Sequence, residues 1–92
     1  MLNPAQTGLP YTISTGITIS DDNVHTADTD GYIQAYAGGN SGDSASAWIG
    51  GSTYYFTSRN GTQMVFIRKG MTYQRRSVGC TGSYNLMFIP IV

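Results

Sequence analysis

Tyr84-Asn85-Leu86-Met87-Phe88-Ile89-Pro90-Ile91-Val92 closes a chain of 92 residues, and eight of these nine are apolar or aromatic. Chain ends ordinarily fray into water, so a dry end must be covered. In an extended strand side chains alternate between faces. Tyr84, Leu86 and Phe88 then share one face and Met87, Ile89 and Ile91 the other, with Asn85 the polar exception. Both faces are dry. Gln63-Met64-Val65-Phe66-Ile67 repeats the pattern, with Met64 and Phe66 on one side and Val65 and Ile67 on the other. Gly31 to Ala37 sets Ile33, Ala35 and Ala37 against Tyr32, Gln34 and Tyr36, a core face with an amphipathic back.

A two-layer sandwich needs one dry face per strand, so the second dry face on two strands calls for a further cover. No window has a helical period that would supply a covering helix. A second copy of the chain would do so. Four aliphatic side chains buried per subunit contribute roughly 6 to 12 kcal/mol before the costs of association. The expected interface residues are Met64, Phe66, Met87, Ile89 and Ile91. Pro90 marks an edge or terminal position, because it has no N–H for a ladder.

Gly, Ser, Thr and Tyr dominate the rest, the chemistry of strands and tight turns. Strand-like runs recur at Tyr11 to Ser14, Ile17 to Ile19, Gly31 to Ala37, Ala45 to Ile49, Thr53 to Thr57, Gln63 to Ile67, Thr72 to Arg76 and Tyr84 to Ile91. The fold class is therefore all-β: a single small antiparallel β-sandwich, jelly-roll-like, of about eight short strands. Residues 1–10 read as an N-terminal arm or linker and 11–92 as the sandwich. Gly50-Gly51 and Asn60-Gly61 are expected to make hairpin turns, Asp30-Gly31 to open a strand, and Arg68-Lys69-Gly70 to form a solvated connection. Gly38 to Ser44 is the longest loop-like piece.

Small domains have thin stability margins. Cys80 is the single cysteine and cannot close an internal disulfide, which points to folding in a reducing cytosol and to oligomerisation as the extra source of burial. Five Lys and Arg balance five Asp, with no Glu, which argues against a nucleic-acid groove or an anionic membrane as main partner. The acids lie in the first half and the bases in the second, which predicts complementary contacts between strands or subunits; a separate basic face for phosphate is the sharper alternative. The start carries neither a charged leader nor a long apolar run, so no signal peptide or membrane insertion is expected. Asn60-Gly61-Thr62 fits a glycosylation sequon but reads better as a turn.

Catalytic chemistry is thin. His25 is the only histidine, and its neighbours Ser20, Asp21 and Asp22 are too common to define a triad, so it is expected at a turn or surface. No spacing selects a carboxylate pair for glycoside hydrolysis. One Cys and one His do not make a zinc site, and Asp28-Thr29-Asp30-Gly31 lacks the Glu that completes a calcium loop. The glycine-rich pieces lack the ending of a phosphate loop. The chain is read as a non-enzyme without cofactor or metal. Exposed aromatics beside amides and guanidinium groups are the usual grip on sugars and peptides, with packing of the sheet as the plainer role. Tyr54 and Tyr55 should point to opposite faces, one of them into the core. The binding candidates are Asn40, Ser41, Asp43, Trp48, Tyr54, Tyr55, Arg59 and Asn60.

Three segments carry a family likeness. Thr26-Ala27-Asp28-Thr29-Asp30-Gly31-Tyr32-Ile33 resembles the opening "extended strand, Asp-Gly, aromatic or aliphatic strand" of the small C-terminal domains of bacteriophage tail fibres. Phe66-Ile67-Arg68-Lys69-Gly70-Met71-Thr72-Tyr73 resembles their "hydrophobic pair, basic residue, Lys-Gly, strand" turn, and Leu86-Met87-Phe88-Ile89-Pro90 their "aliphatic-x-Phe-Ile-Pro" ending. The resemblance implies a jelly roll similar to the tumour-necrosis-factor and C1q heads, trimeric about a threefold axis, at the distal tip of a fibre. It also implies attachment to a host-surface polysaccharide or outer-membrane protein, without catalysis, by a virion protein made in the host cytoplasm. Such domains end long fibrous chains, whereas Met1 here stands about ten residues before the first strand. The chain is accordingly read as a fragment, a separately translated tip or a small virion protein. The alternative to receptor binding is a structural role in decoration of the virion or in fibre trimerisation and folding.

Overall fold

The computed structural model describes residues 16–38, 40, 42–51, 53–79 and 82–91. The expected arm 1–10, the expected strand 11–14, Ser41 and Cys80 lie outside them. Eight strands follow in order: β1 (Ile17–Thr18), β2 (His25–Thr26), β3 (Gly31–Gly38), β4 (Ser44–Ile49), β5 (Tyr55–Arg59), β6 (Gly61–Ile67), β7 (Thr72–Gly79) and β8 (Ser83–Pro90).

The pairing is nested. β1 pairs with β8, β2 with β7, β3 with β6 and β4 with β5, all antiparallel. β3 also pairs with β8, and β4 with β7. The result is two four-stranded sheets, β1-β8-β3-β6 and β2-β7-β4-β5. This is one long hairpin wrapped over itself, a jelly-roll-like sandwich.

Local chemistry explains most of the turns. Gly50 and Gly51 both have positive φ, 72° and 128°, as a tight connection between β4 and β5 demands. The Asn60-Gly61 expectation needs correction. β5 and β6 belong to different sheets, so Asn60, at φ 50°, turns the chain across the edge of the sandwich and makes no hairpin. Asn tolerates this left-handed conformation better than most residues. The Asn60 N–H donates to the Asp43 carbonyl at 3.2 Å, and the Ser58 hydroxyl donates to the Gly61 carbonyl.

The alternation read from the sequence holds where the core forms. Ile33, Ala35 and Ala37 of β3 are fully buried, while Tyr32, Gln34 and Tyr36 look outward. Ala45, Ala47 and Ile49 face them from β4, with Ile67, Leu86 and Phe88 completing the interior. The four alanines let the sheets approach closely at the centre, and the bulk sits to one side. There Tyr73 stacks on Phe88 at 5.2 Å and on His25 at 5.3 Å. Full burial of Ile33, Ile67 and Leu86 is worth about 1.5 to 3 kcal/mol each.

Three expectations are corrected by this packing. His25 sits at no turn: it belongs to β2, opposite Tyr73. Tyr54 and Tyr55 are both exposed, because Tyr54 precedes β5 in the connection, and Phe56 is the aromatic that packs on the core. Ile91 is buried at 7% exposure, leaving it almost no surface for another subunit. The β3–β8 pairing runs one rung past Pro90, the Ile91 N–H donating to the Asp30 carbonyl at 2.8 Å, but the outward exposure of Met87 and Ile89 is not continued at Ile91.

Candidate functional site

The outer face of the first sheet is built by register. Ile89, Tyr32 and Phe66 stand side by side in one row across β8, β3 and β6. Met87, Gln34 and Met64 form the next, extended by Thr18 of β1, and Asn85, Tyr36 and Thr62 the third. Tyr32 meets Phe66 edge to face at 5.6 Å. Met64 and Phe66 are 48% and 45% exposed, and Met87 and Ile89 are half-buried. Two strands with an extra dry face, far apart in sequence, thus flank β3 and merge their spare faces into one apolar surface with a polar rim. Surfaces of this kind mark contact with another body. Four of the five expected interface residues lie together here, and Ile91 does not.

The outer face of the second sheet has a different character. Gln74, Trp48 and Tyr55 form one row, and Ser77, Ser46 and Thr57 another, with the Ser46 and Ser77 hydroxyls 2.7 Å apart. The Arg76 guanidinium lies 3.9 Å above the Tyr55 ring, a cation–π contact. Val24, Thr72 and Gln74 flank Trp48 in a shallow hollow.

The expected binding residues divide between two places. Trp48, Tyr54 and Tyr55 sit at the Gly50-Gly51 end of the β4–β5 hairpin, whereas Arg59 pairs with Ser44 at the other end, beside Asn60. Four residues of strand separate them, about 13 Å. Asn40, Arg59 and Asn60 are exposed, but Asp43 is buried at 3% exposure. Its carboxylate accepts the Asn40 N–H at 3.3 Å and the Gly82 N–H at 3.1 Å. The expectation that Asp43 offers itself to a ligand is corrected: it ties the β3–β4 loop to the turn before β8.

Sequence reasoning passed over the edge between β7 and β8. β1 and β2 are two residues long and, among the described residues, pair with 87–88 of β8 and 72–73 of β7. Beyond them opens a depression of about 470 Å³ lined by Asp22, Arg75, Arg76, Ser77, Val78 and Tyr84. The β4–β7 register shifts along this stretch. Ser46 pairs with Ser77 but the next residue, Ala47, pairs with Arg75, so Arg76 is the extra residue. Consecutive strand residues face opposite ways, and a bulge re-aims one of them. Arg75 stands on the inward row opposite Ala47, while the Arg76 guanidinium lies over Tyr55 on the outer face. Arg75 Nε donates to Asp22 Oδ1 at 2.8 Å, which raises the already high Arg75 pKa. That ion pair joins the acidic first half to the basic second half, as the charge distribution predicted.

His25 Nε2 lies 2.7 Å from Asp21 Oδ1. The hydrogen bond with His25, followed by the one from the Asn23 N–H, holds the Asp21 carboxyl below its ordinary pKa. The imidazole is pinned between this carboxylate and the Tyr73 ring, an arrangement that clasps β2 and its preceding loop to the sandwich. Among the described residues no group of three or more His, Cys, Asp or Glu side chains is placed to hold a metal ion.

Compared with protein-family models, with curated proteins and with solved structures, the chain has no match, so its function must be argued from its two faces and the hollow between them.

Proposed function

We propose that the chain is a non-enzymatic virion protein, the homotrimeric receptor-binding tip of a bacteriophage tail fibre that attaches to a host-surface polysaccharide or outer-membrane protein. The observation that carries this reading is the contrast between the two outer faces. Met64, Phe66, Met87 and Ile89 give the first sheet an apolar surface suited to burial against copies of itself. The second sheet carries Ser77, Gln74, Arg76 and partly exposed aromatics, the composition of a surface that meets a polar ligand. Three subunits packed through the first sheet about a common axis leave the second sheet and the β7–β8 edge facing outward. The threefold order and the place on a fibre rest on the resemblance of the Asp-Gly, Lys-Gly and Phe-Ile-Pro segments.

Light scattering on a sizing column at several concentrations, with Cys80 kept reduced, tests the assembly. A mass near three chains that survives dilution is expected; a stable monomer would overturn it. Purified protein should also adsorb to host cells and compete with whole virions for attachment. A second reading, a structural protein that decorates the virion or seeds fibre trimerisation, is favoured by the burial of Asp43, which makes part of the longest loop a fastening. Under that reading a trimer forms but does not adsorb to cells.

A further inference from the structure

We infer that the hollow beside Trp48 on the outer face of the second sheet binds one uncharged sugar ring, stacked on the indole and hydrogen-bonded by Gln74 and Thr72. This rests on the reading of the chain as a surface-binding module and narrows what it binds.

Register builds the hollow. Gln74 on β7 is the neighbour of Trp48 on β4, and toward the hairpin end the Gly50 N–H donates to the Thr72 carbonyl at 2.7 Å. Gly50 has no side chain, so the row of Thr72 leaves a notch beside Trp48. β2 flanks β7 on its other side, and Val24, just before β2, stands about 10 Å from Trp48 across β7, two strand spacings. The space measures about 290 Å³, near the lower end of small-molecule sites, which commonly run from about 300 to 1,000 Å³.

The lining chooses the ligand. One face of a sugar ring presents C–H groups with a weak positive polarity, which suit the negative face of an indole, and its rim carries hydroxyls. The Gln74 amide donates one N–H to the Asp22 carbonyl at 2.8 Å, which leaves its oxygen and its second N–H. The Thr72 hydroxyl makes no hydrogen bond among the described residues. Each group can therefore give and take a hydrogen bond, as a sugar hydroxyl does. An aliphatic ligand would take water from both and return nothing.

Charge and topology exclude the other classes. Among the described residues no charged side chain lines the hollow. The Arg76 guanidinium is held over Tyr55, on the far side of Trp48, and the Asp22 carboxylate is paired with Arg75. An ionic ligand would thus leave water without meeting a counter-charge. A peptide strand adds to an open sheet edge, whereas β4 and β7 each have neighbours on both sides, and a proline-rich peptide wants a groove of several aromatic rings. Trp48 supplies one, because the Tyr73 ring is stacked between His25 and Phe88.

Trp48 is the single tryptophan of the chain, so its emission reports on this hollow. The test titrates the assembled protein with neutral hexose oligomers of gluco, galacto and manno configuration, followed by tryptophan fluorescence and calorimetry. At least one should shift the emission to shorter wavelength along a saturable curve that salt does not move. Thr72→Val, which keeps the shape of the side chain, should weaken that binding roughly three- to tenfold, and Trp48→Ala should abolish the calorimetric signal, both with unchanged far-ultraviolet circular dichroism. No saturable response to any of the three oligomers would overturn the inference without needing a variant. So would tighter binding of a uronate-bearing oligomer or of a proline-rich peptide, or a Thr72→Val protein that binds as the parent does. Protein that adsorbs to host cells yet responds to none of the oligomers refutes the sugar hollow and leaves the attachment reading standing; protein that binds a neutral oligomer through Trp48 but does not adsorb refutes the attachment reading and leaves the hollow.

Discussion

Replacing Asp43 by alanine would loosen three segments at once. The carboxylate accepts N–H groups from Asn40 in the loop after β3 and from Gly82 in the turn before β8, while the Asp43 carbonyl accepts the Asn60 N–H at the corner between β5 and β6. The carbonyl bond survives the substitution; the two carboxylate bonds do not. Hydrogen bonds to a charged partner contribute about 1.5 to 3 kcal/mol each. Asn40 and Gly82 are exposed positions where water replaces part of what is lost, so the expected net cost is about 2 to 4 kcal/mol. A chain of this length has a total stability on the order of 5 to 14 kcal/mol, so the loss is a large fraction of it. Thermal unfolding followed by circular dichroism, at one protein concentration because assembly shifts the midpoint, should show a midpoint roughly 10 to 25 °C lower. Both bonds end on the same oxygen, Oδ2, so Asp43→Asn can keep these two through its amide oxygen and should cost less than the alanine substitution. An alanine variant within about 1 kcal/mol of the parent would refute the fastening role. One that kept its stability but lost adsorption to cells would return Asp43 to the recognition surface.

Phe66→Ser tests the apolar face: 45% exposure of a side chain of about 150 to 250 Å² leaves roughly 70 to 110 Å² to bury, about 2 kcal/mol per subunit, so the assembly should dissociate at concentrations at least tenfold higher in dilution light scattering. Gly31→Ala would set a methyl group 2.5 Å from the Ile89 carbonyl oxygen and 2.6 Å from the Phe88 ring, and urea unfolding should show a loss of about 1 to 3 kcal/mol. Burial raises the Tyr73 phenol pKa, so the folded state keeps this group neutral; stability is full below the ordinary value of about 10 and falls as pH rises through the folded value. A spectrophotometric titration should therefore show a late-ionising tyrosine step that Tyr73→Phe removes. The Asp21 carboxyl is held low by His25, so its contribution is present above about 3.9 and disappears as pH falls through the folded value; Asp21→Asn should flatten the acid limb of the melting profile.

What could be read beforehand was what depends on alternation. The two dry faces of 63–67 and 84–91 were visible as pattern, and pairing through β3 turns them into one surface because Tyr32 and Gln34 have both strands as neighbours. Gly50-Gly51 was legible because positive φ selects glycine. The losses share a cause, which is that each depends on a partner distant in sequence. β2 is two residues long and exists through its pairing with Tyr73 and Thr72, so no local run announces it. Asp43 looks like a loop carboxylate until Gly82 is brought beside it. The register shift opposite Ser46 and Ala47 leaves Arg76 as an extra residue in β7, and no local pattern announces it. Asn60 carries the chemistry of a turn without stating which sheet follows.

The nested topology gives the closing strand more than a structural share in this protein. β8 is hydrogen-bonded to β1 on one side and β3 on the other, so the first sheet has no centre until β8 arrives. Pairings between such distant segments are slow to form, because loop entropy is lost before the contacts that offset it. Until then the inward residues Ile33 and Ala35 lack the Phe88 and Leu86 that stand opposite them, and the outward row of Tyr32 and Phe66 lacks Ile89. Arrival of one strand thus closes the core with one of its faces and completes the apolar outer surface with the other. A subunit cannot offer the whole of that surface before its own core is closed, and this order protects a sticky sheet from pairing with partners that are still unfolded. The dryness of Leu86 to Ile89 on both sides follows from these two tasks falling to a single strand.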